Sequence, residues 1–206
     1  EYSKARKYHA EHEQLGIVQS LFSFVLVLGL LFLEGFAWIY EMTGQFAESP
    51  ILHTLLFFGV LLFGSQILSL PFSLYSTFSI EERYGFNKTT VRTFLFDFVK
   101  SLALGIVLGG SLLALITFVF YEIPQAFWYI AWLIVSAFTV FMAVFYTSLF
   151  RPLFNTLKPL EDGPLRQAIE NYAEEQAFPL DGILVMDGSK RSTKSNAFFS
   201  GLGRRK

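Results

Sequence analysis

Few side chains in this sequence could hold a metal ion or transfer a proton. It has three histidines and no cysteine, which excludes disulfides, thiolate zinc sites, cysteine nucleophiles and cysteine lipidation of this chain. His9 and His12 share one face of a helix, but no further ligand accompanies them. A solvated polar tail is the plainer interpretation of this segment, so no metal site is predicted within the chain.

The common catalytic motifs are also absent. There is no His-Glu-x-x-His, no P-loop, no dinucleotide fingerprint and no nucleophile elbow. His53 is predicted to lie at a membrane interface. Glu34 and Asp97 lie close to the ends of apolar runs, where a charged side chain can reach water, and this position argues against an intramembrane role for them.

The densest charged stretch is residues 80–87, Ile-Glu-Glu-Arg-Tyr-Gly-Phe-Asn, between two long apolar runs. Charges this dense cannot stay in hydrocarbon, so the stretch is predicted to lie in water at a membrane surface. Two interpretations remain open. The charges fix a helix end at the interface, or they line the mouth of a polar cavity or pack against the soluble segment. The residues concerned are Glu81, Glu82, Arg83 and Asn87.

Composition is typical of a multi-span membrane protein. Hydrophobic residues make up 53% of the chain and charged residues 16%, against about 25% charged in a soluble domain. Four apolar runs reach the roughly 20 residues that cross a bilayer. They are residues 16–40, 51–80, 101–121 and 126–150. The predicted fold is mainly α, a four-span transmembrane bundle in contact with lipid. No basic block outside residues 201–206 supports a nucleic-acid partner.

Three segments are predicted: a polar lead-in over residues 1–15, the membrane region over 16–150, and the incomplete start of a soluble domain over 151–206. A charged segment precedes the first apolar run, which predicts a membrane anchor rather than a signal peptide. Because the first residue is Glu, the natural start is expected to lie earlier. Lys and Arg occur in the lead-in, the central loop and the last segment, but not in residues 41–50 or 121–125. The positive-inside rule therefore predicts that both ends are cytoplasmic.

The last segment has the pattern of a small α/β unit. An amphipathic helix is predicted over residues 162–177, a short buried strand over 182–186 and a second strand over 195–199. An exposed edge strand can bind an extended peptide through backbone hydrogen bonds. The amide of Asn196 offers both a donor and an acceptor for such a peptide.

Four patches of the chain, in order, resemble the type 1 CAAX prenyl protease family, which are multi-span membrane zinc metalloproteases. The first is Leu-Pro-Phe-Ser-Leu-Tyr-Ser-Thr-Phe at residues 70–78, leading into residues 80–87. The others are Pro152-Leu153-Phe154 with Pro159-Leu160, then Gly188-Ser189-Lys190-Arg191-Ser192, and Ser195-Asn196-Ala197-Phe198-Phe199. Residues 1–8 also resemble the segment after the family's first membrane helix. The resemblance covers nearly the whole chain.

This resemblance implies an endopeptidase that removes the C-terminal tripeptide from prenylated proteins, with zinc polarising the carbonyl and activating water. The zinc ligands and the general base are expected beyond Lys206, so no catalytic or metal-binding residue is expected in this chain. By the same resemblance Asn196 and Ala197 hold the substrate backbone, and Phe198 packs beneath the strand. The expected partners are a prenylated or extended peptide and the C-terminal catalytic segment.

Two other functions remain open from the sequence. One is a non-catalytic scaffold or partner subunit made of this half alone. The other is a small-solute carrier that uses Glu34, Gln66 and the kink at Pro71. Both a bacterial inner membrane, with protein quality control as a role, and the endoplasmic reticulum fit the pattern. A His-Glu-x-x-His segment after Lys206 would favour the protease, and further spans with internal repeats would favour a carrier.

Overall fold

The computed structural model describes residues 2–145, 154, 156–178, 180, 182–194 and 197. The chain divides into two compact units, Glu1–Ala131 and Trp132–Lys206. Six long helices occupy residues 2–145: α1 (Tyr2–Phe32), α2 (Gly35–Gly44), α3 (Pro50–Tyr75), α4 (Val91–Leu104), α5 (Gly110–Glu122) and α6 (Phe127–Phe145). A π-helical turn, Ser76–Glu81, continues α3, and a second, Gly105–Gly109, joins α4 to α5.

Among the described residues, four helical stretches are long and apolar enough to cross a bilayer. They are Tyr2–Phe32, Pro50–Glu81, Val91–Glu122 and Pro124–Phe145. They confirm the prediction of a mainly helical chain with four candidate membrane helices. The first three have 31, 32 and 32 residues, which at 1.5 Å per residue makes each roughly 47 Å long. A hydrocarbon core is only about 30 Å thick, so each helix is about ten residues longer than is needed to cross it.

These additional residues include most of the polar and charged side chains of the three stretches, and they lie at one end of the first unit. They form the start of α1, the end of α3 with its π turn, and the start of α4. The start of α1 contacts the end of the π turn directly, and α4 begins a few residues later. The three helices therefore share one polar end.

The first span ends earlier than the apolar pattern predicted. α1 stops at Phe32 rather than near residue 40, and Glu34 takes a left-handed conformation with φ 54° before α2 begins at Gly35. A Cβ on Gly35 would lie 2.6 Å from Leu30 Cδ2 and 3.2 Å from Leu30 Cα, so a larger residue there would have to displace the Leu30 side chain and press on its backbone. Hydropathy does not detect such a break, because residues on both sides of it are apolar.

α2 packs back on the start of α3. The Nε2 atom of His53 lies 2.8 Å from the carbonyl oxygen of Tyr40, and the two rings are 4.1 Å apart. Ser49 caps α3, since its hydroxyl accepts a hydrogen bond from the Leu52 amide at 3.2 Å.

The third helical stretch starts ten residues before the predicted span, at Val91. Thr90 caps it through a 3.2 Å hydrogen bond from the Thr93 amide to its hydroxyl. The second stretch follows the prediction and contains Pro71. The fourth is described to Phe145, and its predicted continuation to residue 150 lies outside the described residues.

In the second unit, strand β1 (Thr156–Pro159) pairs antiparallel with β2 (Leu184–Asp187), with Thr156 opposite Asp187. Helix α7 (Pro164–Glu175) lies between them in sequence. The sequence predicted a buried strand at residues 182–186, but all four residues of β2 are exposed. The strand itself is observed, at Leu184–Asp187, but its predicted burial is wrong, because an apolar run does not reveal whether another layer covers it.

Replacing Gly35 with Ala should destabilise the junction of α1 and α2. The added methyl group meets the backbone and side chain of Leu30, and overpacking of this kind costs about 1–3 kcal/mol. The measurement is the thermal unfolding midpoint in detergent. Gly29→Ala is the matched control, because a Cβ there meets nothing within 4 Å and Ala favours a helix over Gly by about 1 kcal/mol. Equal midpoints for the two variants would contradict the packing described.

Candidate functional site

The charged turn that follows α3 closes on itself through backbone hydrogen bonds. The amides of Phe86 and Asn87 donate to the carbonyl oxygen of Glu81 at 2.9 and 3.2 Å. Gly85 has φ 76°, a left-handed conformation that glycine adopts without strain. Ile80, only 1% exposed, anchors the turn. The turn is therefore a fixed structure rather than a loose loop.

Asn87 holds the second half of the turn. Its Oδ1 accepts a hydrogen bond from the Thr89 amide at 2.7 Å, and its Nδ2 donates to Glu82 Oε2 at 2.9 Å. The side chains of Glu82 and Asn87 therefore hydrogen-bond within the turn, directly before the Thr90 cap of α4.

The first helix docks on this turn through Glu11. Its carboxylate accepts a hydrogen bond from Arg83 Nη1 at 2.8 Å and another from the Tyr84 hydroxyl at 3.0 Å. One turn earlier in α1, the Tyr8 hydroxyl donates to Glu81 Oε1 at 2.5 Å. Residues more than 70 positions apart in the sequence are joined by these three bonds.

Aromatic rings fill the space between the polar contacts. The ring of Tyr8 lies edge-on to those of Tyr84 and Phe86, with centroids 5.2 Å away in both cases. Tyr84 is 8% exposed, and Lys4 Nζ lies 5.9 Å from the centre of the Phe86 ring. We call the residues that join α1 to the turn the helix-end cluster: Lys4, Tyr8, Glu11, His12, Glu81, Arg83, Tyr84 and Phe86.

The electrostatics of the cluster favour its protonated donors. Burial raises the pKa of Tyr84, and the hydrogen bond to Glu11 raises it further. The negative charge of Glu11 raises the pKa of Arg83. Both shifts keep a neutral phenol and a charged guanidinium facing the carboxylate, which is the arrangement that both hydrogen bonds need.

His12 lies at the edge of the cluster with an unusual environment. Its Nε2 is buried and has no hydrogen-bond partner among the described residues, and Glu81 Oε1 is 3.5 Å away. The sequence interpretation of residues 9–12 as a solvated polar tail is wrong for Glu11 and His12, which face the turn and are partly buried, whereas His9 and Ala10 are exposed. Tyr8, Glu11, His12 and Leu15 share one helical face, and that spacing was the available signal.

The predicted site residues of the turn therefore separate into two groups. Glu81 and Arg83 contact α1, and Glu82 and Asn87 contact each other. The contact with α1 was not among the interpretations that the sequence suggested.

Two open crevices flank the polar end of α3 in the described part of the first unit. One lies between α1 and α3, has a volume of about 360 Å³, and is lined by His12, Leu15, Gly16, Gln19, Phe72, Ser73, Ser76 and Thr77. The other lies between α3 and α4, has a volume of about 320 Å³, and is lined by Gln66, Leu70, Ser73, Thr77, Thr89, Phe94, Asp97, Phe98 and Ser101. Ser73 and Thr77, at the hydroxyl-rich end of α3, line both crevices.

The zinc that the sequence resemblance implies does not fit the described residues. Within those ranges, no three His, Cys, Asp or Glu side chains come together as a metal site. Of the predicted substrate strand, Asn196 and Phe198 lie outside the described residues, and Ala197 is described but belongs to no strand. The role of these three residues stays a prediction.

Comparison with known proteins decides the family. Residues 1–156 match the family described as "CAAX prenyl protease N-terminal, five membrane helices". The chain belongs to this family. The family description counts five membrane helices, and residues 2–145 of this chain contain four candidate spans.

Relatives within the CAAX prenyl protease family are similar over three quarters of this chain or more. The chain is 36% identical to "CAAX prenyl protease 1 homolog" of Arabidopsis thaliana over 212 residues, which cover 100% of this chain and 50% of that protein. It is 45% identical to "CAAX prenyl protease 1" of Saccharomyces cerevisiae over 157 residues, or 75% of this chain and 34% of the relative. The chain spans about half the length of the first of these relatives.

A solved structure of the family has the same arrangement of helices. The crystal structure of S. mikatae Ste24p superposes with a TM-score of 0.90 at 35% sequence identity, covering 98% of this chain and 48% of that one. The helical bundle of this chain is therefore the fold of the corresponding half of that protein.

Replacing Glu11 with Ala should loosen α1 from the turn, because Arg83 and the nearly buried Tyr84 hydroxyl lose their shared acceptor. We expect the unfolding midpoint in detergent to fall by several degrees. Glu13→Ala is the matched control, since Glu13 is exposed on the same helix and no hydrogen bond or ion pair joins it to another described residue. If both variants unfold at the same temperature, Glu11 does not hold the cluster.

Proposed function

We propose that this chain is the membrane and substrate-strand portion of a zinc metalloendopeptidase that removes the C-terminal tripeptide from prenylated CAAX peptides. The proposal rests on the agreement with S. mikatae Ste24p, a TM-score of 0.90 over 98% of the chain at 35% identity. The named CAAX prenyl proteases among its relatives support the same reaction.

The bond-breaking groups are expected outside residues 1–206. The Arabidopsis thaliana relative is about twice as long as this chain, which leaves room for them elsewhere in such a protein. The role we assign to this half is to hold the membrane helices in place and to receive the peptide. Neither a scaffold nor a carrier is favoured, because the relatives are named as proteases.

We place the helix-end cluster and both ends of the chain on the cytoplasmic side. Exposed cations at the polar end of the helices support this orientation, namely Arg6, Lys7, Lys88 and Arg92. The opposite end has Glu41, Glu48 and Glu122, and residues 101–150 contain no Lys or Arg. The segment with β1, α7 and β2 is then cytoplasmic, and the division into residues 1–15, 16–150 and 151–206 stays a prediction.

The proposed substrate strand contains Asn196, Ala197 and Phe198. Support comes from the resemblance of residues 195–199 to the family and from the chemistry of an Asn amide, which pairs with both groups of a peptide backbone. Glu81, Glu82, Arg83 and Asn87 are assigned a structural role at the cytoplasmic surface, because their contacts run to α1 and within the turn.

The reaction is tested with the complete natural protein in detergent and a farnesylated CAAX peptide. Mass spectrometry should detect loss of the C-terminal tripeptide, and a zinc chelator should abolish cleavage until zinc is added back. The same peptide without the prenyl group is the control. A zinc-loaded enzyme that leaves the farnesylated peptide intact would exclude the proposed reaction.

In the complete enzyme, Asn196→Ala should lower kcat/KM for the prenylated peptide about tenfold, since a buried pair of hydrogen bonds to the substrate backbone is lost. Asn171→Ala is the matched control, because Asn171 is an exposed residue of α7. Unchanged kinetics for Asn196→Ala would remove this residue from the substrate strand without affecting the proposed reaction itself.

A further inference from the structure

The crevice between α1 and α3 contains polar side chains that lack partners. Gln19, Ser76 and Thr77 are partly buried in its wall, and no hydrogen bond joins their side chains to any other described residue. The hydroxyl group of Ser73 donates a hydrogen bond to the carbonyl oxygen of Ser69, at 3.3 Å. These side chains are only partly buried and have no hydrogen-bond partner among the described residues, so their donors and acceptors are available to a polar occupant of the crevice.

The boundaries of the crevice give its depth in the membrane. The helix-end cluster closes one end, where His12 forms part of the wall. At the other end the rings of Phe22 and Phe72 meet, with centroids 5.4 Å apart. The exposed face of α1 changes from polar to apolar between Gln14 and Ile17, which is within this interval. The crevice therefore lies at the membrane surface, and the Phe22–Phe72 ring pair closes its deeper end.

The chemistry of the wall selects among polar occupants. It offers an amide and hydroxyl groups, which can both donate and accept hydrogen bonds. No Lys or Arg lines it among the described residues, and the carboxylate of Glu81 lies close to His12 at its edge. A lipid phosphate would lack a cation and meet this negative charge. An extended peptide backbone, with alternating N–H and C=O groups, matches the wall better.

We propose that this crevice binds the polypeptide upstream of the substrate's prenylated cysteine. The inference rests on the proposed function and extends it to a second contact with the substrate. A prenylated peptide has its isoprenoid in hydrocarbon and its chain in water, so the chain has to leave along the membrane surface. The crevice lies at that depth and presents backbone partners in Gln19, Ser76 and Thr77.

The kinetic test uses the complete enzyme and two farnesylated peptides. The short peptide begins one residue before the modified cysteine, and the long one has about ten further upstream residues. Gln19→Ala and Ser76→Ala should each raise KM for the long peptide about fivefold, the effect of one lost hydrogen bond. The KM for the short peptide and both kcat values should stay as in the wild type. Gln14→Ala, an exposed Gln on the same helix, is the matched control.

Equal KM changes for both peptides would mean that Gln19 and Ser76 stabilise the local structure or contact lipid, and would overturn the proposal. Unchanged KM for the long peptide would overturn it as well. A wild-type enzyme that cleaves neither peptide would instead refute the proposed reaction.

A binding test that needs no cleavage separates these cases. The chain has no cysteine, so Gln19→Cys, with any cysteines elsewhere in the complete protein replaced, gives a single site for a water-soluble maleimide. The long farnesylated peptide should slow labelling of Gln19→Cys at least about threefold, and the short peptide should not. Labelling of Gln14→Cys should be unaffected. Equal labelling rates with and without the long peptide would exclude the crevice as its binding site.

Discussion

The carboxylate of Glu11 is the contact on which the polar end of this bundle depends. It holds Arg83 and Tyr84 together, at 2.8 and 3.0 Å, and so fastens the first helix to the end of the second span. A surface ion pair alone contributes little to stability. Here the second partner is a Tyr that is 8% exposed and packs against Tyr8, so removing the acceptor also leaves a nearly buried hydroxyl without its partner.

The length of the helices explains why such a contact is needed. Three helical stretches exceed the bilayer core by about ten residues each, and the start of α1 in particular is polar outside the hydrocarbon. Apolar side chains cannot hold helices together where few of them are present, so hydrogen bonds and edge-on aromatic pairs replace them. Between that fastening and the Phe22–Phe72 contact, α1 and α3 leave a polar crevice open. The same excess length therefore produces both the cluster and the crevice.

Local sequence patterns predicted the spans well and the contacts between them poorly. Apolar runs located all four candidate membrane helices, since hydropathy alone decides whether about 20 residues can cross a bilayer. The break at Glu34 was missed because the left-handed conformation of Glu34 and the close contact of Gly35 with Leu30 leave no trace in hydropathy. The bond between Tyr8 and Glu81 joins residues 73 positions apart, which no local pattern detects. Strand β1 was also missed, since its four residues, Thr-Leu-Lys-Pro, are too few to show a strand pattern and end in Pro159.

The π-helical turn at Ser76–Glu81 determines which side of α3 carries the charges. A π turn closes its hydrogen bonds over five residues rather than four, so it takes up one more residue than an α-helical turn. One residue corresponds to about 100° of rotation in a helix with 3.6 residues per turn. Without that rotation, the residues after the turn, Glu81 and Tyr84 among them, would be rotated by about 100° relative to Ser73 and to α1. The turn thus allows one helix to present hydroxyl groups to the crevice and, a few residues later, charged and aromatic groups to the same neighbour.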